Sequence, residues 1–159
     1  MKEKGFTLIE LLVVIVIIAI LAVALLAAID PLEQIRRGRD TETQTAAKEL
    51  LSACERYYGN HEAYPWGAST PTAVNITSTN WADTAVEGDL LQADGELRAG
   101  FEKRSPIAEG KLYLTETTGE ALHVCLDPES KTLSGKAGCT EAADCTGGGV
   151  YFCVPDSAQ

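Results

Sequence analysis

The residue whose surroundings most require a chemical partner is Glu10, a carboxylic acid inside a long apolar stretch of the chain. An ionisable side chain is costly among apolar neighbours in a membrane, and such groups pair with one another or with backbone groups. The carboxylate of Glu10 is therefore predicted to need a partner. The alternative is a carboxylate that only reaches out to the membrane surface.

Five cysteines form the second group of side chains that could do chemistry: Cys54, Cys125, Cys139, Cys145 and Cys153. If the apolar stretch directs export, they lie in an oxidising compartment, where disulfides form. Two disulfides and one free thiol can be arranged in about fifteen ways, and cysteine spacing does not choose among them. The spacing also lacks the paired Cys-x-x-Cys motif of zinc sites.

The remaining polar residues form no recognisable catalytic motif. His61 and His123 lie in unlike contexts, and His123 is predicted to be a strand residue with a solvent or backbone partner. Several acidic residues could offer oxygen ligands to calcium, but their spacing matches no EF-hand, so a solvated acidic loop is favoured. These residues are Asp83, Glu87, Asp89, Asp94 and Glu96. No catalytic residue, metal site or cofactor is predicted.

The element that positions Glu10 is the apolar stretch from Leu11 to Ile29, which directly follows it. It contains only Leu, Val, Ile and Ala, and as a helix it would be about 28 Å long, close to the ~30 Å hydrocarbon core of a bilayer. It is too long for the apolar region of an ordinary secretory signal peptide. Residues 6–29 are therefore predicted to form a membrane-spanning helix.

Charge argues against nucleic acid as a partner, because the chain has a formal net charge of −10 and phosphate binding depends on Lys and Arg clusters. The basic cluster of Arg36, Arg37 and Arg39 directly follows the apolar stretch. Lipid headgroups or acidic faces of neighbouring subunits would be its nearest anions.

The N-terminal residues Met1-Lys-Glu-Lys-Gly5, followed by Phe6-Thr-Leu-Ile-Glu10-Leu-Leu, resemble the class III signal of type IV prepilins and type II secretion pseudopilins. The resemblance implies that a prepilin peptidase removes residues 1–5, cutting between Gly5 and Phe6, and methylates the new amine of Phe6. It further implies that Glu10 serves filament assembly. Pairing with the amine of a neighbouring subunit would join two costly charges.

The same resemblance decides the predicted topology. Lys2 and Lys4 precede the apolar stretch and three arginines follow it, so the positive-inside rule alone would place the C-terminal part in the cytoplasm. The class III signal overrides that count. A single-pass protein of the cytoplasmic (inner) membrane is expected, with residues 30–159 outside and later in an extracellular or periplasmic filament.

Beyond the membrane, Asp30 with Glu33 three residues later predicts the start of an amphipathic helix over residues 31–59, which Gly59 and Asn60 end. The long N-terminal helix is expected to be kinked here. Its apolar stripe contains Ala46, Leu50, Cys54 and Tyr57.

Residues 60–108 are predicted to be a connecting loop region with one short helix, and residues 109–159 an antiparallel sheet. The strand candidates are Lys111 to Thr115, Ala121 to Leu126 and Val150 to Val154. The predicted fold class is α+β and pilin-like: a long kinked helix, membrane-spanning in its first half, packed on a small antiparallel sheet.

Alternation along the strands suggests a cysteine pairing. Cys125 and Cys153 both avoid the apolar faces of their strands, so they could meet if the strands pair. Cys139 and Cys145 would then close a short loop, and Cys54 would remain as a buried, small apolar residue.

The function expected from these observations is that of a structural subunit of a type IV pilus or a type II secretion-like pseudopilus, which associates with itself into a filament. An inner-membrane assembly platform and an ATPase are partners by resemblance only. The alternative is a minor tip subunit that acts as a binding module through the loop from Leu126 to Phe152. A membrane-tethered enzyme is disfavoured because no residues can be named for its catalysis.

Overall fold

The computed structural model describes residues 6–28, 30–67, 74–83, 86–117, 121–138 and 151–155. The chain divides into two compact units, residues 1–35 and residues 36–159. Helix α1 (Leu8–Ala28) belongs to the first unit. Helix α2 (Pro31–His61) begins in the first unit and lies mainly in the second.

Helix α2 begins as the sequence predicts, since a carboxylate oxygen of Asp30 accepts the backbone N–H of Glu33 at 3.2 Å. Its end differs from the prediction: Gly59 and Asn60 are helical, and the helix reaches His61. The left-handed backbone of Glu62, with φ 55°, follows it. The ring of His61 stacks on Tyr57 at 4.2 Å, which stabilises the additional turn.

The second unit is a four-stranded antiparallel sheet whose strand order is β1-β2-β3-β4. The strands are β1 (Val74–Ile76), β2 (Leu112–Thr117), β3 (Ala121–Leu126) and β4 (Phe152–Val154). Alternate side chains of β2 and β3 share one hydrophobic core with the buried stripe of α2. On the α2 side of that core the buried residues are Ala46, Ala47, Leu50, Leu51, Ala53 and Cys54. The predicted α+β, pilin-like fold class is confirmed.

The prediction of a sheet confined to residues 109–159 is wrong, because β1 lies within the region predicted to be a connecting loop. Its three residues pair with β2, Val74 opposite Leu114 and Ile76 opposite Leu112. A three-residue strand is too short to show a clear alternation of apolar and polar residues, so β1 is defined by its partner strand.

The connecting region also contains more helix than the one short segment predicted. It holds α3 (Gly88–Ala93), a 3₁₀ turn (Phe101–Lys103) and α4 (Ser105–Ala108). Trp81 anchors this region in the core: its ring lies 5.6 Å from that of Phe101 and packs against the backbone of Gly88. Trp66 is also buried, so both tryptophans are core residues.

A buried carboxylate ties α2 to the segment after β3. Asp40 is 4% exposed and accepts the backbone N–H groups of Glu129 and Ser130, each at 2.9 Å. The hydroxyl of Ser130 in turn caps α5 (Lys131–Ser134) by accepting the N–H of Leu133. Asp40 therefore fixes where the chain leaves the sheet.

The side chain of Glu129 adds ion pairs to this junction. It accepts a hydrogen bond from Lys111 Nζ at 2.9 Å and another from Arg39 at 3.5 Å. The hydrogen bond from Lys111 lowers the pKa of Glu129, and the same bond raises the pKa of Lys111. Both groups are partly exposed, so the ion pairs contribute less than the buried Asp40.

Replacing Asp40 by alanine should destabilise the protein by about 2 to 4 kcal/mol, because two backbone N–H groups lose their buried acceptor. Urea unfolding of the full chain in detergent, followed by tryptophan fluorescence, measures the change. The matched control is Glu42→Ala, since Glu42 is exposed on the same helix. Equal midpoints for the two variants would contradict the role given to Asp40.

Replacing Gly88 by alanine should lower the thermal midpoint, because the new Cβ would lie 2.3 Å from Trp81 Cε2. Overpacking of this kind costs about 1 to 3 kcal/mol. In contrast, Gly59→Ala should raise the midpoint, since nothing lies within 4 Å of the new Cβ and alanine is favoured over glycine inside a helix by roughly 0.5 to 1 kcal/mol. Calorimetry on both variants tests the pair, and shifts of the same sign would contradict it.

Candidate functional site at the N-terminal helix

The first feature of the site is that α1 has no polar face. Among the described residues, one helix is long and apolar enough to cross a membrane, the stretch Leu8–Leu26. Every large apolar side chain in it is exposed, from Leu8 at 88% to Val14 at 47%. A helix that is apolar on all sides must be surrounded by lipid or by other helices.

The polar exception lies in the first turn, where Thr7 and Glu10 form a capping box. Oε2 of Glu10 accepts the backbone N–H of Thr7 at 2.9 Å and the hydroxyl of Thr7 at 2.7 Å. In return, the N–H of Glu10 approaches the Thr7 hydroxyl oxygen at 3.4 Å. The pattern Thr-x-x-Glu before an apolar run is a sequence signature of a helix start.

Thr7 is thus the residue of the site that the sequence-based prediction missed, although its signal was visible in the sequence. The capping box orients the carboxylate at the helix start, where the positive end of the helix dipole favours negative charge. Oε1 of Glu10 accepts no hydrogen bond from the described residues. The carboxylate can therefore bind a second donor, such as an ammonium group, without giving up its own helix cap.

Phe6 precedes this capping box and is 79% exposed. The predicted cleavage would make Phe6 the new terminus, one residue before Thr7. Gly5 and the rest of the predicted leader lie outside the described residues. The structure thus brings Thr7 and Glu10 into contact, and Phe6 directly precedes them in the chain.

The cysteines lie in the second unit, away from this turn in the sequence. Cys125 and Cys153 are opposite each other in β3 and β4 and are joined by a disulfide bond. Tyr113 and Tyr151 pack against them, apart from the main core. The predicted pair Cys139 and Cys145 lies outside the described residues.

Cys54 is a free thiol, fully buried in the main core. Burial, with a smaller contribution from the charge of Glu55, raises the pKa of this thiol to about 12. A thiol in this state is a poor nucleophile and behaves as a small apolar side chain.

Both histidines and two of the candidate acidic residues, Asp94 and Glu96, make structural contacts. His123 Nδ1 lies 3.2 Å from the carbonyl oxygen of Pro155, and His61 Nε2 lies 2.8 Å from Asp94 Oδ2. Glu96 binds Arg56 at 2.6 Å. Within the part of the chain that the structure describes, no three His, Cys, Asp or Glu side chains come together in a way that could hold a metal ion.

Comparison with known proteins agrees with the geometry at the N-terminus. A family model described as "Prokaryotic N-terminal methylation motif" matches residues 1–26. This range covers the predicted leader, the capping box of Thr7 and Glu10, and nearly all of α1. No curated protein and no solved structure matches the chain. From the residues of its first turn, the apolar helix that follows and this match, we conclude that the chain carries the class III signal of type IV pilins and pseudopilins.

Proposed function

We propose that the protein is a structural subunit of a type IV pilus or a type II secretion-like pseudopilus. Residues 1–5 form a leader that prepilin peptidase removes after Gly5, and the new amine of Phe6 is methylated. Residues 6–29 then anchor the chain in the membrane and later form the filament core. Residues 30–159 form the domain outside the membrane.

The observation that carries this proposal is the methylation motif over residues 1–26, within which Glu10 stands at the start of an all-apolar helix. A helix of this kind can be transferred from lipid into a bundle of identical helices without exposing apolar side chains to water. Lipid and helix surfaces are equally apolar, so the hydrophobic effect does little to drive that transfer. Packing and polar contacts must supply the specificity.

Glu10 is the polar contact available for this purpose. Cleavage after Gly5 creates a cationic amine on Phe6, and the open oxygen Oε1 of Glu10 can accept a hydrogen bond from the amine of a neighbouring copy. Two charges that are each costly in an apolar bundle then stabilise one another.

The partners in this scheme are prepilin peptidase, further copies of the chain, and an inner-membrane assembly platform with its ATPase. The starting location is the cytoplasmic (inner) membrane, with a single span and the C-terminal domain outside. The proposed function includes no catalytic step.

Loss of the leader removes two lysines and one glutamate, which changes the formal net charge from −10 to −11.

The first test is intact mass and N-terminal sequencing of protein from membranes and from sheared filaments, without reduction. The expected chain begins at methylated Phe6. A chain that keeps Met1 to Gly5 and has five free thiols would contradict both processing and export. Abundance separates the two subunit types, because a major subunit dominates sheared filaments and a tip-binding module is nearly missing from them.

The second test separates the charge of Glu10 from its role as a helix cap. Glu10→Gln keeps a side-chain oxygen that can accept from Thr7 but removes the charge. We expect cleavage after Gly5 and membrane insertion to continue, while the yield of sheared filaments falls at least about tenfold, because the amine of Phe6 loses its counter-ion.

The matched variant Glu10→Leu removes both the cap and the charge and should assemble no better than Glu10→Gln. Immunoblots of the sheared and membrane fractions give both readouts. Normal filament yield from Glu10→Gln would mean that Glu10 acts only as a helix cap. It would contradict the proposed ion pair between Glu10 and the amine of Phe6.

A further inference from the structure

Five acidic residues of the connecting region divide into two classes in the structure. Asp94 binds His61, and Glu96 binds Arg56 and Asn60, so these two carboxylates hold the region to the end of α2. The other three carboxylates make no ion pair or side-chain hydrogen bond with any described residue. We call Asp83, Glu87 and Asp89 the acidic surface.

The same region carries a group of cations that we call the cationic surface, formed by Arg98, Lys103 and Arg104. Arg98 and Arg104 line an open groove of about 320 Å³, together with Glu49 and Phe101. The guanidinium of Arg104 is already paired with Glu49 at 2.6 Å and lies over the ring of Phe101 at 5.2 Å.

Arg98 and Lys103 remain as exposed cations with no side-chain partner among the described residues. Arg98 is the more specific of the two, because the groove beside it is walled by a fixed guanidinium and an aromatic ring. A guanidinium fork in such a position is suited to a carboxylate, which it can bind with two parallel hydrogen bonds.

The two surfaces are attached to the same support. Trp81 packs against Gly88, the neighbour of Glu87 and Asp89 in the chain. It also packs against Phe101, which lies between Arg98 and Lys103 in the chain. Trp81 is 4% exposed, so both backbone segments are attached to the core.

From these observations we propose that the cationic surface of one copy binds the acidic surface of a second copy. This inference rests on the proposed function as a filament subunit and names a contact between subunits outside the membrane. The charge of the chain supports a second copy as the occupant: subunits with a formal net charge of −10 repel one another unless opposite charges face each other where they meet.

A contact between two different surfaces of the same molecule is heterologous, and repeated heterologous contacts build open helical filaments when the rotation between subunits does not close a ring. Such a contact is compatible with the filament proposed above. It also assigns a role to three carboxylates that have no side-chain partner among the described residues.

The test is a charge exchange in the full chain. Arg98→Glu alone and Asp89→Lys alone should each lower the yield of sheared filaments by about tenfold, since like charges would then face each other across the contact. The double variant, Arg98→Glu with Asp89→Lys, should recover to within about threefold of the wild type, because the pair is restored with reversed sign.

Lys136→Glu is the matched control, because it reverses an exposed cation elsewhere in the domain and changes net charge by the same amount. It should assemble within about twofold of the wild type. Cleavage after Gly5 and the thermal midpoint should stay unchanged in all four variants, which separates assembly from processing and folding.

Normal filament yield from Arg98→Glu, or no recovery in the double variant, would overturn the proposed contact while leaving the filament function intact. A wild-type chain that is never cleaved or never forms filaments would instead overturn the proposed function itself.

Discussion

The absence of a polar face on α1 is the constraint on which the rest of the molecule depends. Each large apolar side chain of α1 that leaves water gains roughly 1.5 to 3 kcal/mol, so the helix cannot remain in an aqueous environment. Within lipid that gain has already been made, and helices must recognise each other by packing and polar contacts. In the filament that we propose, Thr7 and Glu10 are the polar side chains available for such contacts at the start of the helix.

The second unit is stabilised by a hydrophobic core that α2 shares with the sheet. The buried face of α2 is rich in small side chains, and Ala46, Ala47 and Ala53 are fully buried. These small residues share one hydrophobic core with larger side chains of the sheet, among them Leu112 and Leu114 of β2. Asp40 completes this packing by fixing the chain at Glu129 and Ser130.

Sequence patterns predicted the parts of the fold whose signals are local and long. The apolar run gave α1, the capping residue Asp30 gave the start of α2, and alternation gave β3 with its observed bounds. A strand of three residues, such as β1, and a helix of six residues, such as α3, do not complete enough periods to be recognised. Contacts between distant residues were also invisible, as with Asp40 and Ser130, which are 90 positions apart.

The candidate site was more predictable than the fold, because its residues are neighbours in the sequence. Glu10 was recognisable because it is an ionisable residue next to a long apolar stretch. The structure added its hydrogen bonds with Thr7, three positions earlier. The charges of the connecting region were predicted only as a solvated acidic loop. Which carboxylates are paired depends on where α2 ends, and the predicted end at Gly59 would have left His61 outside the helix.

The burial of Cys54 has a consequence for the order of events during oxidative folding. Burial raises the pKa of this thiol, and only the thiolate attacks a disulfide, so Cys54 is unreactive toward disulfide exchange in the folded domain. Once α2 has packed against the sheet, Cys54 is withdrawn from exchange, and the possible pairings of the other four cysteines fall to about three. The register of β3 and β4 then selects Cys125 with Cys153. Core formation that precedes oxidation thus protects an odd-numbered set of cysteines from mispairing.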